Sequence, residues 1–465
     1  MLSTRLKITM LLLTVVFTAF SCKTDTKSKL ADSQMENKGG TFDDLTSADM
    51  ALLDTIQKQT FNYFWEGAEP NSGLARERFH TDDVYPTSPK NTVTIGGSGF
   101  GFMALLVGIE RGFITREEGF ARFQKMVNFL EKADRFHGAW PHWLNGETGK
   151  VLVFSKKDNG GDLVETSFLI AGMLSVAEYF KAGNTEEQAL SQKINTLWQE
   201  VEWDWYTKGE NVLYWHWSPN YKWEMNFPVG GYNECLIMYV LAAASPTHPI
   251  DRKVYTEGWA RNDSIISSES MYGHDFILDY YEHAENQIGP LFWSHYSFTG
   301  LNPKGLSDTY ANYWDLVQNH AMIHYDYAVD NPLNYKGYGK NIWGMTSSYS
   351  MNGYAGHHPG KGHDKGVISP TAALSSFPYT PKESMQMLKT LYKDHDSLIG
   401  KYGPYDAFSF EHQWFTPRYL AIDQGPIPVM IENYRSGLLW DLFMGNTDVQ
   451  HGLDALGFSV SETND

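Results

Sequence analysis

The sequence predicts an all-α fold, an (α/α)6 barrel in which helical hairpins close into a toroid. Three observations predict it. Apolar residues recur at helical spacing in about twelve segments, enough for six hairpins. The connections between them are long, polar, aromatic and glycine-rich. Alternating strand patterns are nearly confined to 139–154, which turns at Asn145-Gly146, and to 212–217. A solenoid would need self-similarity at a fixed period, and none is visible. Such a ring collects its loops, and therefore its cleft, at one end.

Taken in order, the chain opens with Arg5 and Lys7, an apolar run over 8–20 and then Ser21-Cys22. This is the pattern of an export signal. The run is shorter than the roughly 20 residues that span a bilayer, and a Cys after a small residue points to a lipoprotein. Residues 1–22 are therefore expected to be a signal peptide with Cys22 acylated, and 23–45 a polar tether. Nothing linker-like interrupts 46–460, so one catalytic domain is expected there. The chain would be exported and anchored in the cell envelope, touching membrane only through its lipid. A tethered barrel needs no partner, so a monomer is expected.

The first helix is predicted over 47–65, burying Met50, Leu53, Ile56, Phe61 and Phe64. Another follows over 98–112. Thr115 and Glu118 then form a capping box ahead of Phe120, Phe123, Val127 and Leu130. A long apolar helix covers 162–180, and Thr185 with Gln188 caps the next, to about 203. A helix from Gly231 carries Leu236, Ile237, Val240 and Leu241 until Pro246 stops it. Further helices are predicted over 251–260, 275–283, 308–327, 370–376, 381–394 and 428–443. Thr380-Pro381-Lys382-Glu383 supplies an N-cap, a proline at N1 and a glutamate at N3.

The formal charge of −18 excludes nucleic acid as a partner, because that binding rests on neutralising phosphates with Lys and Arg. Besides Cys22 the only cysteine is Cys235, so the domain has no pair for a disulfide, and its apolar neighbours mark a buried thiol. The chain holds 15 Trp, 27 Tyr and 26 Phe, some of which a large core consumes. Many stand in polar company, as in Trp140-Pro141-His142-Trp143, Trp203-Asp204-Trp205-Tyr206 and Tyr214-Trp215-His216-Trp217. Rings interleaved with hydrogen-bonding groups suit saccharides, whose CH faces stack while their hydroxyls bond.

The chain is organised around Asp158, Asp162 and Glu165, bunched where a polar loop enters the 162–180 helix. Spacing leaves two readings open: a capping box with Asp162 as N-cap, or proton-transfer groups held over a cleft. Gly230-Gly231-Tyr232-Asn233-Glu234 repeats the arrangement before another apolar helix, where a macrodipole role is the alternative. Two acidic helix mouths facing each other would supply the two carboxylates that glycosidic hydrolysis requires. Gly99-Phe100-Gly101-Phe102-Met103-Ala104 matches a dinucleotide fingerprint but lacks the βαβ context. His357, His358, His363 and Asp364 offer metal ligands, on a Gly/Pro loop without a helical pair. No metal and no cofactor is expected, and no G-x-S-x-G elbow exists.

Gly289-Pro290-Leu291-Phe292, the 325–332 run YDYAVDNP, Trp343-Gly344-Met345-Thr346, the 422–427 run IDQGPI and Glu432-Asn433-Tyr434-Arg435-Ser436 resemble the glucoamylase-like domain of Bacteroidetes lipoproteins. More narrowly, the chain resembles glycoside hydrolase family 144, over nearly everything after Thr41. The resemblance implies an (α/α)6 barrel and an inverting hydrolase that cuts β-1,2-glucan to sophorose or sophorooligosaccharides. It places the family's acidic cluster on Asp158, Asp162 and Glu165 and a separate glutamate on Glu234. Glu234 is then the expected general acid, with Asp162 or Glu165 activating water. Trp140, Trp143, Trp215, Trp217, Tyr232, Trp293 and Trp414 are expected to stack on sugar, with His142, His295 and Arg418 bonding hydroxyls. The rival readings are a non-catalytic glycan-binding lipoprotein and a glucoamylase-like α-glucan hydrolase. Carboxylates that repel one another argue against a mere binder.

Overall fold

A computed structural model describes residues 45–279 and 288–461. The signal peptide, Cys22 and nearly all of the tether lie outside the described residues. Thirteen α-helices are found among those described: α1 (Ser47–Trp65), α2 (Ile95–Glu110), α3 (Arg116–Leu130), α4 (Leu163–Phe180), α5 (Thr185–Gln199), α6 (Leu236–Ala244), α7 (Tyr313–Asp330), α8 (Pro370–Leu374), α9 (Pro381–Asp394), α10 (Ala421–Gln424), α11 (Pro426–Arg435), α12 (Leu438–Met444) and α13 (Thr447–Leu456). The strands are two or three residues long and form small antiparallel ladders in the loops.

Sequence divides the helices into two kinds. α2, α4, α6 and α11 are buried on nearly every side: from Ile95 to Gly108, from Leu163 to Ala177, throughout α6, and from Pro426 to Tyr434. A helix apolar all round belongs inside. α3 and α5 bury a single stripe, Gly119, Phe123, Met126, Val127 and Leu130 in one and Leu190, Ile194, Leu197 and Trp198 in the other. They form the outer layer. α4 is long and apolar enough to cross a membrane, yet 89% of it is buried in protein, so it is a core helix.

Contacts between the entrances of the inner elements run around a ring. Thr94, before α2, donates to Glu165 of α4. α4 packs on α6, and the Glu234 carbonyl before α6 accepts from Ser297. His295, beside the 3-10 turns Leu291–Ser294 and Ser297–Thr299, meets Ser376 after α8. Thr371 of α8 donates to the Asp423 carbonyl of α10, and Ala421 of α10 lies against Gly97 of α2. The ring is closed where α1 packs on α11, with Glu432 accepting from Gln57 at 3.0 Å and from Arg111 at 2.7 Å. This is the (α/α)6 barrel.

The glycines of the dinucleotide-like motif serve helix packing. A Cβ on Gly99 would come within 2.1 Å of the Phe168 carbonyl oxygen, and one on Gly172 within 2.1 Å of the Gly99 oxygen. α2 and α4 cross in contact there, and only glycine fits.

The boundaries depart from the periodicity in physically readable ways. α1 and α3 start on the capping boxes Thr46/Asp49 and Thr115/Glu118. α5 is boxed by Asn184 and Glu187 rather than by Thr185 and Gln188, because Asn184 reaches two amides, those of Glu186 and Glu187. Thr380 makes no cap; its hydroxyl turns back to the Ser376 carbonyl. The predicted 428–443 helix is two, divided at Gly437 in the left-handed region (φ 73°). The 251–260 helix is a π turn at Val254–Trp259. At 275 the chain pairs His274–Asp275 with Ser270–Met271 instead of starting a helix, and 280–283 lie outside the described residues. The 139–154 hairpin is Trp143–Asn145 against Val151–Leu152, with Thr92–Thr94 as a third strand. The 212–217 strand shrinks to His216–Trp217, paired with Gly161–Asp162.

Candidate active site

The α4 entrance unites the two readings of its acids. Asp162 is the N-cap: its Oδ1 accepts from the Glu165 amide at 2.9 Å. Its Oδ2 accepts from His142 Nδ1 and from Trp215 Nε1, each at 3.0 Å. Both oxygens are taken, and the residue is fully buried. Glu165, one turn into the helix, accepts through Oε2 from the Gly96 amide at 2.7 Å and Thr94 Oγ1 at 3.2 Å, leaving Oε1 4.0 Å from His142 Nε2. Burial raises the Glu165 carboxyl above its ordinary value, with His142 opposing. Asp158 Oδ2 lies 3.5 Å from His142 Nδ1, and its Oδ1 lies 3.3 Å from His216 Nε2.

His142 is the hub of this cluster. Burial alone would lower its pKa, but Glu165, Asp158 and Asp162 outweigh burial and hold it well above the usual histidine value. His142, Asp158 and Asp162 bring ligand-type atoms within 4.8 Å of one another, a spacing suited to a cation. Here the imidazolium, with its Nδ1 proton shared toward both aspartates, supplies the positive charge. Replacing it leaves buried carboxylates uncompensated. We expect His142→Ala to cost about 3 kcal/mol of stability, read by urea unfolding. Because the folded pKa is raised, the wild-type contribution is complete below the unfolded value and fades as pH climbs through the folded one. The gap between wild type and variant should therefore narrow in alkali.

Glu234 stands two residues before α6, outside the helix proper. The Asn233 side chain holds the turn by accepting from the Cys235 amide at 2.9 Å. Glu234 is buried, and burial, followed by the charges of Glu165 and Asp162, raises its carboxyl to about 7. It is thus protonated in weakly acidic solution, as a proton donor must be. Cys235 is the buried, free thiol anticipated from its neighbours.

Sequence reasoning missed a second carboxyl pair. Asp423 in α10 and Asp406 in the preceding loop are both buried. Asp406 Oδ2 accepts from the Tyr349 amide at 2.7 Å, whereas its Oδ1 and both Asp423 oxygens have no donor. Burial raises both carboxyls, and their mutual closeness raises Asp423 further. Tyr296 and Tyr354 lie within electrostatic range of both Asp423 and Glu234. The signal was present in the 422–427 run: an Asp opening a buried helix, as at Asp162.

A cleft of about 580 Å³ adjoins Tyr349 and is lined by Arg78, His80, Tyr354, Trp414, Phe415 and Arg418, among others. The expected sugar-binding residues divide. Trp414 and Arg418 line this cleft, the Arg418 guanidinium 5.7 Å from the Tyr349 ring centre. Trp215 and His142 touch the acids directly. Trp143 is half-buried, edge-on to His142. Tyr232 and Trp293 pack edge to face beside a neighbouring hollow. Three do otherwise. Trp140 is fully buried, its indole bonded to the Leu130 carbonyl, and offers no face to a ligand. His295 is buried against Ser376 and held near 3 by burial and His320, so it is a neutral core residue. Trp217 points away from the acids, onto His137. In the 357–364 loop, His358 stacks on His363 and Asp364 accepts from Tyr338 and Gly366. Among the described residues no metal-spaced trio forms there.

Comparison with known proteins follows the same lines. The Glycoamylase family model, described as "Putative glucoamylase", matches residues 226–447. An endo-β-1,2-glucanase of Chitinophaga pinensis, solved with sophorotriose and glucose, is 60% identical over 89% of this chain and 99% of its own, with a TM-score of 0.87. A glucoamylase-type protein of Bacteroides caccae is 58% identical over 89% of this chain and all of its own, also at 0.87. An exo-β-1,2-glucooligosaccharide sophorohydrolase of Parabacteroides distasonis is 44% identical over 88% of this chain, which spans 58% of that relative's length. With 60% identity across almost the whole of a solved relative, the chain belongs to the glucoamylase-like family of these β-1,2-glucanases, glycoside hydrolase family 144.

Proposed function

We propose that this chain hydrolyses β-1,2-glucan with inversion, Glu234 donating a proton to the leaving oxygen and the Asp406–Asp423 pair accepting one from the attacking water. The observation that carries it is Glu234, a buried carboxyl raised to about 7, within electrostatic range of tyrosines that also face a buried acid pair with three oxygens lacking donors. A water base needs a free lone pair. Asp162 accepts from three donors and positions His142, Trp215 and Glu165, whereas the Asp423 oxygens accept from none. Glu165 Oε1 remains open and holds the charge balance with His142. The relatives' activity on β-1,2-glucan supports the substrate. A reducing-sugar screen over β-1,2-, β-1,3- and α-1,4-glucans tests it. Release of sophorooligosaccharides from the first alone is expected; release from α-1,4-glucan would favour a glucoamylase, and binding without products a capture protein. NMR of the nascent reducing end should show the α anomer. We further infer export and tethering through an acylated Cys22, on the leader pattern; an unmodified mature N-terminus in mass spectrometry would overturn that.

A further inference from the structure

The motif Trp203-Asp204-Trp205-Tyr206 is not used by the site described. Trp203 and Tyr206 enter the core, but Trp205 is 41% exposed. Its ring lies flat on His137, with centroids 3.8 Å apart and planes 15° apart. Trp223 stands 6.3 Å away at 35°. Between and around the two indoles runs a groove of about 420 Å³, bordered by Glu202, Asp204, Thr207, Lys208 and His248. That volume falls within the roughly 300–1,000 Å³ of small-ligand clefts.

The polar rim is matched to an uncharged polyol. Glu202 is held by His137 at 3.0 Å and Asp204 by His248 at 3.1 Å, through one oxygen each, leaving the other oxygens for hydroxyls. Lys208 borders the groove as well, its ammonium 3.1 Å from Asn226 Oδ1 and 3.7 Å from Glu210. The groove is also preformed: His137 (φ 50°) and Lys208 (φ 59°) are left-handed non-glycine residues, a conformation that persists only when the surroundings impose it. One strand separates it from the acid cluster. In His216–Trp217 alternate side chains face opposite sides: His216 meets Asp158, while Trp217 meets Trp205 at 6.4 Å.

We propose that Trp205 and Trp223 form a second saccharide-holding site, outside the catalytic cleft, that retains long β-1,2-glucan; this rests on the functional reading given above. One indole stacks on the CH face of a glucosyl unit and the rim carboxylates bond its hydroxyls. The test uses the full chain with Trp205→Ala and Trp223→Ala, and Trp205→Tyr as the ring-keeping variant. Affinity electrophoresis through gels containing β-1,2-glucan and kcat/KM on polymer and on short sophorooligosaccharides are measured side by side. Both alanine variants should lose about 5-fold in polymer affinity and polymer kcat/KM, with turnover of short substrates unchanged and the tyrosine variant close to wild type. Equal losses on short and long substrates, or no loss on either, overturn the second site. Failure of the wild type itself to bind or cut the glucan would instead sink the functional reading.

Discussion

Glu234→Gln should abolish measurable hydrolysis, lowering kcat by about 10³-fold or more while KM changes little. Proton donation to a leaving group contributes about 10²–10⁴-fold, and glutamine keeps the shape of the side chain without its proton. The wild-type pH profile carries a second signature. The donor is active while protonated, and burial raises Glu234 to about 7, so kcat must fall as pH climbs through that value. The residual activity of the variant should lack this basic limb. A variant that keeps both the rate and the limb would remove Glu234 from the mechanism.

Asp423→Asn is the second large effect expected, about 10²-fold or more in kcat, with Asp406→Asn close behind. Burial raises both carboxyls, so the wild-type acid limb should lie above the usual carboxylate range near 4. Below it the pair is protonated and loses its basicity. Removing one partner relieves the crowding, and the acid limb should shift downward in whatever activity remains. Asp162→Asn is the informative contrast, since asparagine caps helices as well as aspartate does. If Asp162→Asn is the more damaging of the two while Asp423→Asn is nearly silent, the water base lies at the α4 entrance.

Much of the fold was legible because burial writes itself into composition. The inner helices α2, α4 and α6 are apolar runs flanked by polar loops, and the Thr115/Glu118 capping box of α3 was readable as spelled. What escaped were places where tertiary contacts outvote local chemistry. Thr380 turns its hydroxyl into the core, and Gly437 divides a continuous apolar pattern because its backbone is left-handed. The acids of α4 were visible as a cluster in sequence. Asp406 and Asp423 were not, because they stand seventeen residues apart and meet through the doubling back of the chain over 406–418. Trp140 and His295 show the limit of reading aromatics in polar company: both satisfy their polar atoms inside the core.

The mutual approach of Gly99 and Gly172 has a stereochemical consequence. It fixes how near two inner helices stand, and the candidate acids are carried at the mouths of different inner helices. Interaxial distances of about 8–10 Å set the scale at which such elements stand apart. Inverting hydrolases need about 6.5–9.5 Å between acid and base, to admit a water, whereas retaining ones need about 5–5.5 Å. Acids carried on separate inner elements suit the wider of these spacings, the one that the proposed inversion requires.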